Sequence, residues 1–298
     1  MTATTFRRTA GDRGFDLAVH VIVVVAFVVT LYPFLYVVSM SLSETDAVLR
    51  DEVWLLPKGL QIDAYRAVLM DDRIWRSYYN TIWYTAVGTL FNLVFTVMAA
   101  YPLSKRKFFA RNFFMVAIMV TFLFQGGIIP TFIIVARLGL YGSRWAMVFP
   151  ALISVYYLVI CRTFFQQLPE DLFECARLEG AEEWRIVWKI VLPLSQPIVA
   201  VLALFYGIQH WNSFFPALLY LPDADLHPIQ IYLRRVVVMS RLETLLQHAD
   251  TGDFEEGVLA MIKVKYAVIV VAIAPIVMLY PFLQRYFVKG VMIGALKG

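Results

Sequence analysis

Gln166-Gln-Leu-Pro-Glu-Asp-Leu-Phe-Glu-Cys-Ala-Arg-Leu-Glu-Gly180, continued by Ala181-Glu-Glu-Trp-Arg-Ile-Val-Trp-Lys-Ile-Val-Leu-Pro193, is a polar interlude between two long apolar runs. Pro169 followed by Glu170 and Asp171 reads as a helix start, because acids in a first turn meet the positive end of the helix dipole. Leu172, Phe173, Cys175, Ala176 and Leu178 fall on one broad side of a short helix. Gly180 can adopt the left-handed conformation that ends it. A second helix is expected from about Glu182 to Ile190, with Trp184, Val187, Trp188 and Val191 on an apolar stripe and Pro193 as its stop. The spacing predicts a helix-turn-helix lying at a membrane surface.

The flanks explain why a membrane is the setting. Of 298 residues, 60% are hydrophobic and only 16% charged, with a mean hydropathy of +0.69. Soluble domains carry roughly 45–50% apolar and about 25% charged residues, so most of this chain is solvated by lipid. A bilayer core requires about 20 apolar residues in helical form, and helices keep every backbone group bonded there. Six runs qualify: 17–40, 81–103, 113–135, 145–165, 194–221 and 266–287. The expected fold is therefore all-α and integral to the membrane, with six transmembrane helices. Residues 1–16 would be a cytoplasmic N-terminal segment, 17–287 the six-span domain and 288–298 a cytoplasmic tail. Loop 166–193 would lie in the cytoplasm, and segments 43–77 and 222–265 outside. The dense basic cluster Lys105, Arg106, Lys107 and Arg111 between the second and third runs sets this orientation, by the excess of basic residues on cytoplasmic loops.

The net charge of +4 is modest and the basic residues sit between spans, which argues against a nucleic-acid partner. Cys161 and Cys175 are the only cysteines, and both fall on or near the cytoplasmic side, so no disulfide framework is expected.

Glu174-Cys175-Ala176, three residues, Gly180, nine residues, Ile190, one residue and Leu192-Pro193 resemble the signature loop of permease subunits in binding-protein-dependent ABC importers. The one departure is Cys175, where that motif usually has alanine. Trp211-Asn-Ser-Phe-Phe-Pro216 and the run from Tyr280 to Gly294 are similar to the carbohydrate branch, which includes the maltose-type second permease and permeases for complex oligosaccharides such as alginate. The resemblance implies a type I ABC importer permease fold whose first loop helix is a cytoplasmic coupling helix seated in a groove of an ATPase. Glu174, Cys175, Ala176, Gly180, Ile190, Leu192 and Pro193 are its expected coupling residues. It implies a second permease subunit, two ATPase subunits carrying ATP and magnesium, an extracytoplasmic substrate-binding protein and an oligosaccharide cargo. The cell location implied is the bacterial cytoplasmic (inner) membrane, with both termini cytoplasmic.

What is missing is consistent with a non-catalytic chain. There is no Gly-x-x-x-x-Gly-Lys-Ser/Thr phosphate loop, no hydrolase or zinc-protease motif, and the four histidines are dispersed. No cofactor is expected on the chain itself. Polar groups within the apolar runs are candidates for a translocation path: Asn92, Gln125, Gln209, Asn212 and Ser213, with the aromatic Trp211 beside them. Hydrogen bonding from helix to helix would account for each of these polar groups equally well. The rival class is an ion-coupled secondary carrier or channel. Such proteins usually place carboxylates inside the membrane, whereas here every Asp and Glu lies outside the runs.

Overall fold

The computed structural model describes residues 10–124, 126–246 and 263–278, and every assigned element among them is helical. Chain contacts divide the molecule after residues 70, 235 and 271 into two compact units.

In the first unit, α1 (Ala10–Leu42) is a single helix that takes in the first apolar run. At 33 residues it extends about 50 Å, more than the roughly 30 Å of a bilayer core. Val-rich sequence is a poor helix former in water, but in lipid the helix is what keeps each backbone group bonded. From Phe15 to Leu35 its large apolar side chains are exposed, as expected of a helix that faces lipid or other subunits. His20 is exposed as well, its Nδ1 lying 2.6 Å from the Asp16 carbonyl oxygen. Only the last turns are buried, where Met40 meets Val48 and Val53 next to α2 (Thr45–Leu49). Ser39 Oγ donates to the Leu55 carbonyl at 2.7 Å, and Ser41 Oγ lies 2.6 Å from the hydroxyl of Tyr65 in α3 (Asp63–Met70). Residues 43–70 are thus partly helical and fastened to the end of α1.

The second unit is built on α4 (Asp72–Ser104), which begins nine residues before the run read from hydropathy. It starts on an Asp71 cap, whose carboxylate accepts from the Arg73 amide at 3.0 Å. The third run is broken, into α5 (Arg111–Leu123) and α6 (Ile128–Arg137), with Gly126-Gly127 between them. The fourth is bent by 54°, from 3-10 turns at Arg144–Met147 and Phe149–Ala151 into α7 (Val155–Phe165). Pro150 lies in the second of these turns, where its missing amide hydrogen costs no helical bond.

The polar interlude follows as α8 (Glu170–Leu178) and α9 (Glu183–Ile186). Contrary to the expected stop, Pro193 does not end the second loop helix. The chain widens into a π turn over Val187–Val191 and continues into α10 (Leu192–Leu194), with Pro193 in its first turn. A proline ring clashes with the carbonyl four residues back, and the widened turn lies just there. The change of direction comes at Ser195, with an 84° bend into α11 (Gln196–Trp211). The fifth run breaks again at residues 212–214 before α12 (Phe215–Tyr220). Segment 222–265 is not wholly irregular either: a 3-10 turn at Ala224–Leu226 precedes α13 (Ile229–Leu246). A last helix, α14 (residues 263–278), opens the sixth run. The cytoplasmic tail and the run from Tyr280 lie outside the described residues.

Among the described residues two helices alone are long and apolar enough to cross a bilayer, and up to five spans result if each bent pair counts as one. α4 packs mainly against α11 and α7. Its N-terminal third is fixed by polar bonds: Asn80 Nδ2 donates to the Asp225 carbonyl at 2.7 Å, Tyr84 Oη to that of Leu226 at 2.9 Å, and the Ile229 amide to Thr81 Oγ1 at 2.8 Å.

Candidate functional site

The loop between α7 and α11 is built into the interior of the second unit. Phe173 and Ala176 on one face of α8, with Ile186 and Val191 beyond the turn, join a core that includes Val97 and Ala100 of α4, Leu158 and Cys161 of α7, and Leu202 and Tyr206 of α11. The opposite face of α8 is open: Leu172, Glu174, Cys175 and Leu178 are exposed, Leu178 by 88%. The broad apolar side read from the sequence is therefore split, half in the core and half toward solvent.

Gly180 makes the turn. Its φ of +78° lies in the left-handed region, its amide donates to the Arg177 carbonyl at 3.0 Å, and the Ala181 amide donates to that of Ala176 at 2.9 Å. This pair of bonds is a Schellman C-cap. A Cβ at Gly180 would meet nothing within 4 Å, so the demand for glycine there is conformational.

Charged side chains then tie the turn to α4. Arg177 Nε donates to Glu183 Oε1 at 2.9 Å, and the Tyr101 hydroxyl donates to the other carboxylate oxygen. Burial alone would raise the Glu183 carboxyl; the hydrogen bonds from Tyr101 and Arg177 outweigh it and hold the group below its usual value. Lys105, which caps the end of α4, places Nζ 2.9 Å from the ring centroid of Phe173. Burial brings its ammonium down to about 8, with Arg177 adding to the fall and Glu170 and Glu183 opposing it. Lys107 and Glu174 approach to 3.6 Å on the surface. Among the expected coupling residues, Glu174 and Cys175 are exposed, Ala176 is buried, and Ile190 and Leu192 pack against the core from its edge. Tyr101, Lys105 and Glu183 are functional candidates that sequence reasoning misses, because their contacts join residues six to eighty-two positions apart with no local repeat to mark them.

The expected path residues separate into two groups. Gln209, Asn212 and Ser213 line a cavity of about 520 Å³ at the break after α11, together with Thr131, His210, Phe214, Phe215 and Tyr220. Ser213 Oγ is buried there without a hydrogen-bond partner, and Asn212 Oδ1 accepts from Gln230 at 3.3 Å. A neighbouring cavity of about 640 Å³, sharing Thr131, Phe215 and Tyr220, reaches Gly126 and Gly127 at the break in the third run. Asn92 and Trp211 are placed elsewhere. Asn92 is fully buried and donates to the carbonyls of Ala151 and Leu152 at 2.6 and 2.8 Å, where the fourth run bends. Its Oδ1 lies 2.6 Å from His210 Nε2. Trp211 Nε1 donates to the Ala272 carbonyl at 3.2 Å. Both have the helix-to-helix role that the sequence leaves open. Gln125 lies outside the described residues. No group of three or more His, Cys, Asp or Glu is placed to hold a metal ion among the described residues.

Comparison with known proteins places this geometry in context. The family described as "Binding-protein-dependent transport system inner membrane component" matches residues 92–293, more than half of the chain. "Protein LplC" of Bacillus subtilis (strain 168) is 39% identical over 295 residues, covering 99% of this chain and 98% of that one. The "Polygalacturonan/rhamnogalacturonan transport system permease protein YtcP" of the same organism is 35% identical, covering 96% and 99%. A solved chain from a bacterial ABC transporter "involved in the import of the acidic polysaccharide alginate" superposes with a TM-score of 0.85 at 33% identity, covering 95% of this chain and all of that one.

Proposed function

The chain belongs to the family of binding-protein-dependent transport system inner membrane components, as a non-catalytic permease subunit of a carbohydrate ABC importer, and from that premise we propose that it walls one side of a path for acidic oligosaccharides and couples that path to separate ATPase subunits. The remaining parts are a second permease, two ATPase subunits binding ATP and magnesium, and an extracytoplasmic binding protein that delivers cargo. Both termini lie in the cytoplasm.

The observation that carries the coupling reading is the two-sided character of α8. One face is locked among the spans through Phe173 and Ala176, and the other offers Leu172, Glu174, Cys175 and Leu178 outward. A partner that grips the outer face and moves it therefore acts on the core. Closure of an ATPase dimer would draw this helix and its counterpart on the second permease together and tilt the spans from inward-facing to outward-facing.

The cargo reading is supported by the relatives, named for polygalacturonan/rhamnogalacturonan and for alginate. It is supported also by the cavity after α11, where amides, a hydroxyl without a partner and aromatic faces come together. Sugars present hydroxyls and apolar ring faces to such a surface, and a broken helix within a membrane is tolerated where it lines a cavity.

Uptake into proteoliposomes tests the whole reading. With the partner subunits and binding protein present, uronate oligosaccharide enters only with ATP inside the compartment that faces the ATPase, and vanadate stops it. Uptake driven by a proton or sodium gradient without ATP overturns the proposal in favour of the carrier class.

A further inference from the structure

The Asn92 amide on α4 settles the state of the histidine it touches. The Ala151 and Leu152 carbonyls can only accept, so Asn92 Nδ2 gives both its hydrogens to them, at 2.6 and 2.8 Å. The atom 2.6 Å from His210 Nε2 is therefore Asn92 Oδ1. That oxygen also only accepts, so Nε2 carries the ring proton and donates it. In the neutral imidazole the second nitrogen, Nδ1, then keeps a lone pair and is an acceptor. The bend of the fourth run thus fixes, through one amide, the tautomer of a residue on α11.

His210 is only 4% exposed, yet it lines the cavity of about 520 Å³ at the break after α11. Its Cε1–Nε2–Cδ2 edge is turned to Gly88, where a Cβ would come within 2.5 to 2.8 Å. Nδ1 lies off that edge. It has no hydrogen-bond partner among the described residues, and it is not one of the polar side-chain atoms there that the fold seals away unpaired. The cavity falls within the roughly 300–1,000 Å³ of small-molecule sites. Among the described residues no Lys, Arg, Asp or Glu lines it.

We propose that His210 Nδ1 accepts a hydrogen bond from a hydroxyl of the cargo sugar, with Asn92 as the positioning residue that keeps this nitrogen unprotonated. The inference rests on the cargo reading above and assigns it an atom. A lone pair repels a carboxylate and attracts an O–H, so of the groups on an acidic oligosaccharide it selects the hydroxyls. The amides of Gln209 and Asn212 line the same cavity and can bond further hydroxyls, while Phe214, Phe215 and Tyr220 give it aromatic walls. Water offers the same O–H but gains nothing from aromatic walls; a pyranose ring uses both. Cargo held at Nδ1 is joined through one imidazole and one amide to the bend of the fourth run.

Two variants separate this role from packing. His210→Gln keeps an N–H where Nε2 stands but has no acceptor where Nδ1 stands, and His210→Asn does the reverse. Retention of a labelled uronate trisaccharide is measured on the assembled transporter with its binding protein and ATP, turnover being arrested by vanadate. His210→Gln melts near the wild-type temperature and weakens retention about three- to tenfold, the loss expected for one hydrogen bond. His210→Asn melts lower, having lost the bond to Asn92, but retains the trisaccharide more nearly as wild type does. Nitrogen NMR of the permease labelled in its histidines adds a direct signature: the unprotonated Nδ1 signal, assigned by its loss in His210→Gln, moves when the trisaccharide is added. Retention that follows melting temperature in both variants means a packing role and overturns the proposal. A signal that the trisaccharide leaves unmoved assigns Nδ1 to water and also overturns it, and in either case ATP-dependent trisaccharide uptake by wild type leaves the cargo reading standing. Absence of that uptake overturns the cargo reading and this inference with it.

Discussion

Gly88 packs directly against the ring of His210. A Cβ built on Gly88 would fall 2.5 Å from both Cε1 and Nε2 of the His210 ring, the ring that is bonded to Asn92. Gly88→Ala must therefore displace the imidazole and break that bond. Overpacking of this kind costs about 1–3 kcal/mol. We expect the purified transporter carrying Gly88→Ala to melt at a lower temperature, and His210→Ala added to it to recover part of the loss, since the second change removes the ring that clashes. Wild-type melting of Gly88→Ala would contradict the packing. The same residues explain the limit of sequence reading at this scale. Asn92 and Asn212 are both amides within apolar runs, and composition treats them alike. One is enclosed by the bend of the fourth run, 59 and 60 residues along the chain, and the other opens on a cavity at the break next to it.

Among the elements, the loop helices were the most legible. Pro169, the acids behind it and Gly180 act locally, and α8 begins and ends as those residues predict. The π turn was not legible, because it resolves a conflict between Pro193 and a helix that the core holds in place through Ile186 and Val191. The breaks between α5 and α6, at 148–154, at 195 and at 212–214 escaped for a different reason. Hydropathy counts apolar length, and a broken helix that stays in lipid has the same count as a straight one. Gly180 provides the prediction at this scale. Valine there would have to occupy the left-handed region at a cost of about 1–2 kcal/mol, or else open the Schellman bonds and turn α9 away from α8. We expect Gly180→Val to retain ATP hydrolysis in the assembled transporter while losing its stimulation by cargo and most uptake. Unchanged uptake and stimulation would remove Gly180 from the coupling mechanism.

For the molecule as a whole, the two cysteines report which surfaces assembly covers. Cys175 is exposed on the outer face of α8 and Cys161 is buried in the core shared with α4 and α11. A maleimide should modify Cys175 in the chain stripped of its ATPase, be excluded once the ATPase is restored, and leave Cys161 untouched in both. Equal modification of Cys175 with and without the ATPase would place the docking surface elsewhere. Six spans were expected, and the described residues supply up to five with α14 opening the sixth, so the helical class and the location of the loop were readable from the sequence while the path of the chain was not.

That Phe173 and Ala176 share one packed interior with Leu158 and Leu202 has a consequence for design. If an ATPase pulls on α8 as proposed, a stroke applied at Cys175 would pass to the spans through packed side chains, as through a crank fixed to its shaft and not through a hinge. The gearing of such an arrangement would be set when the chain folds.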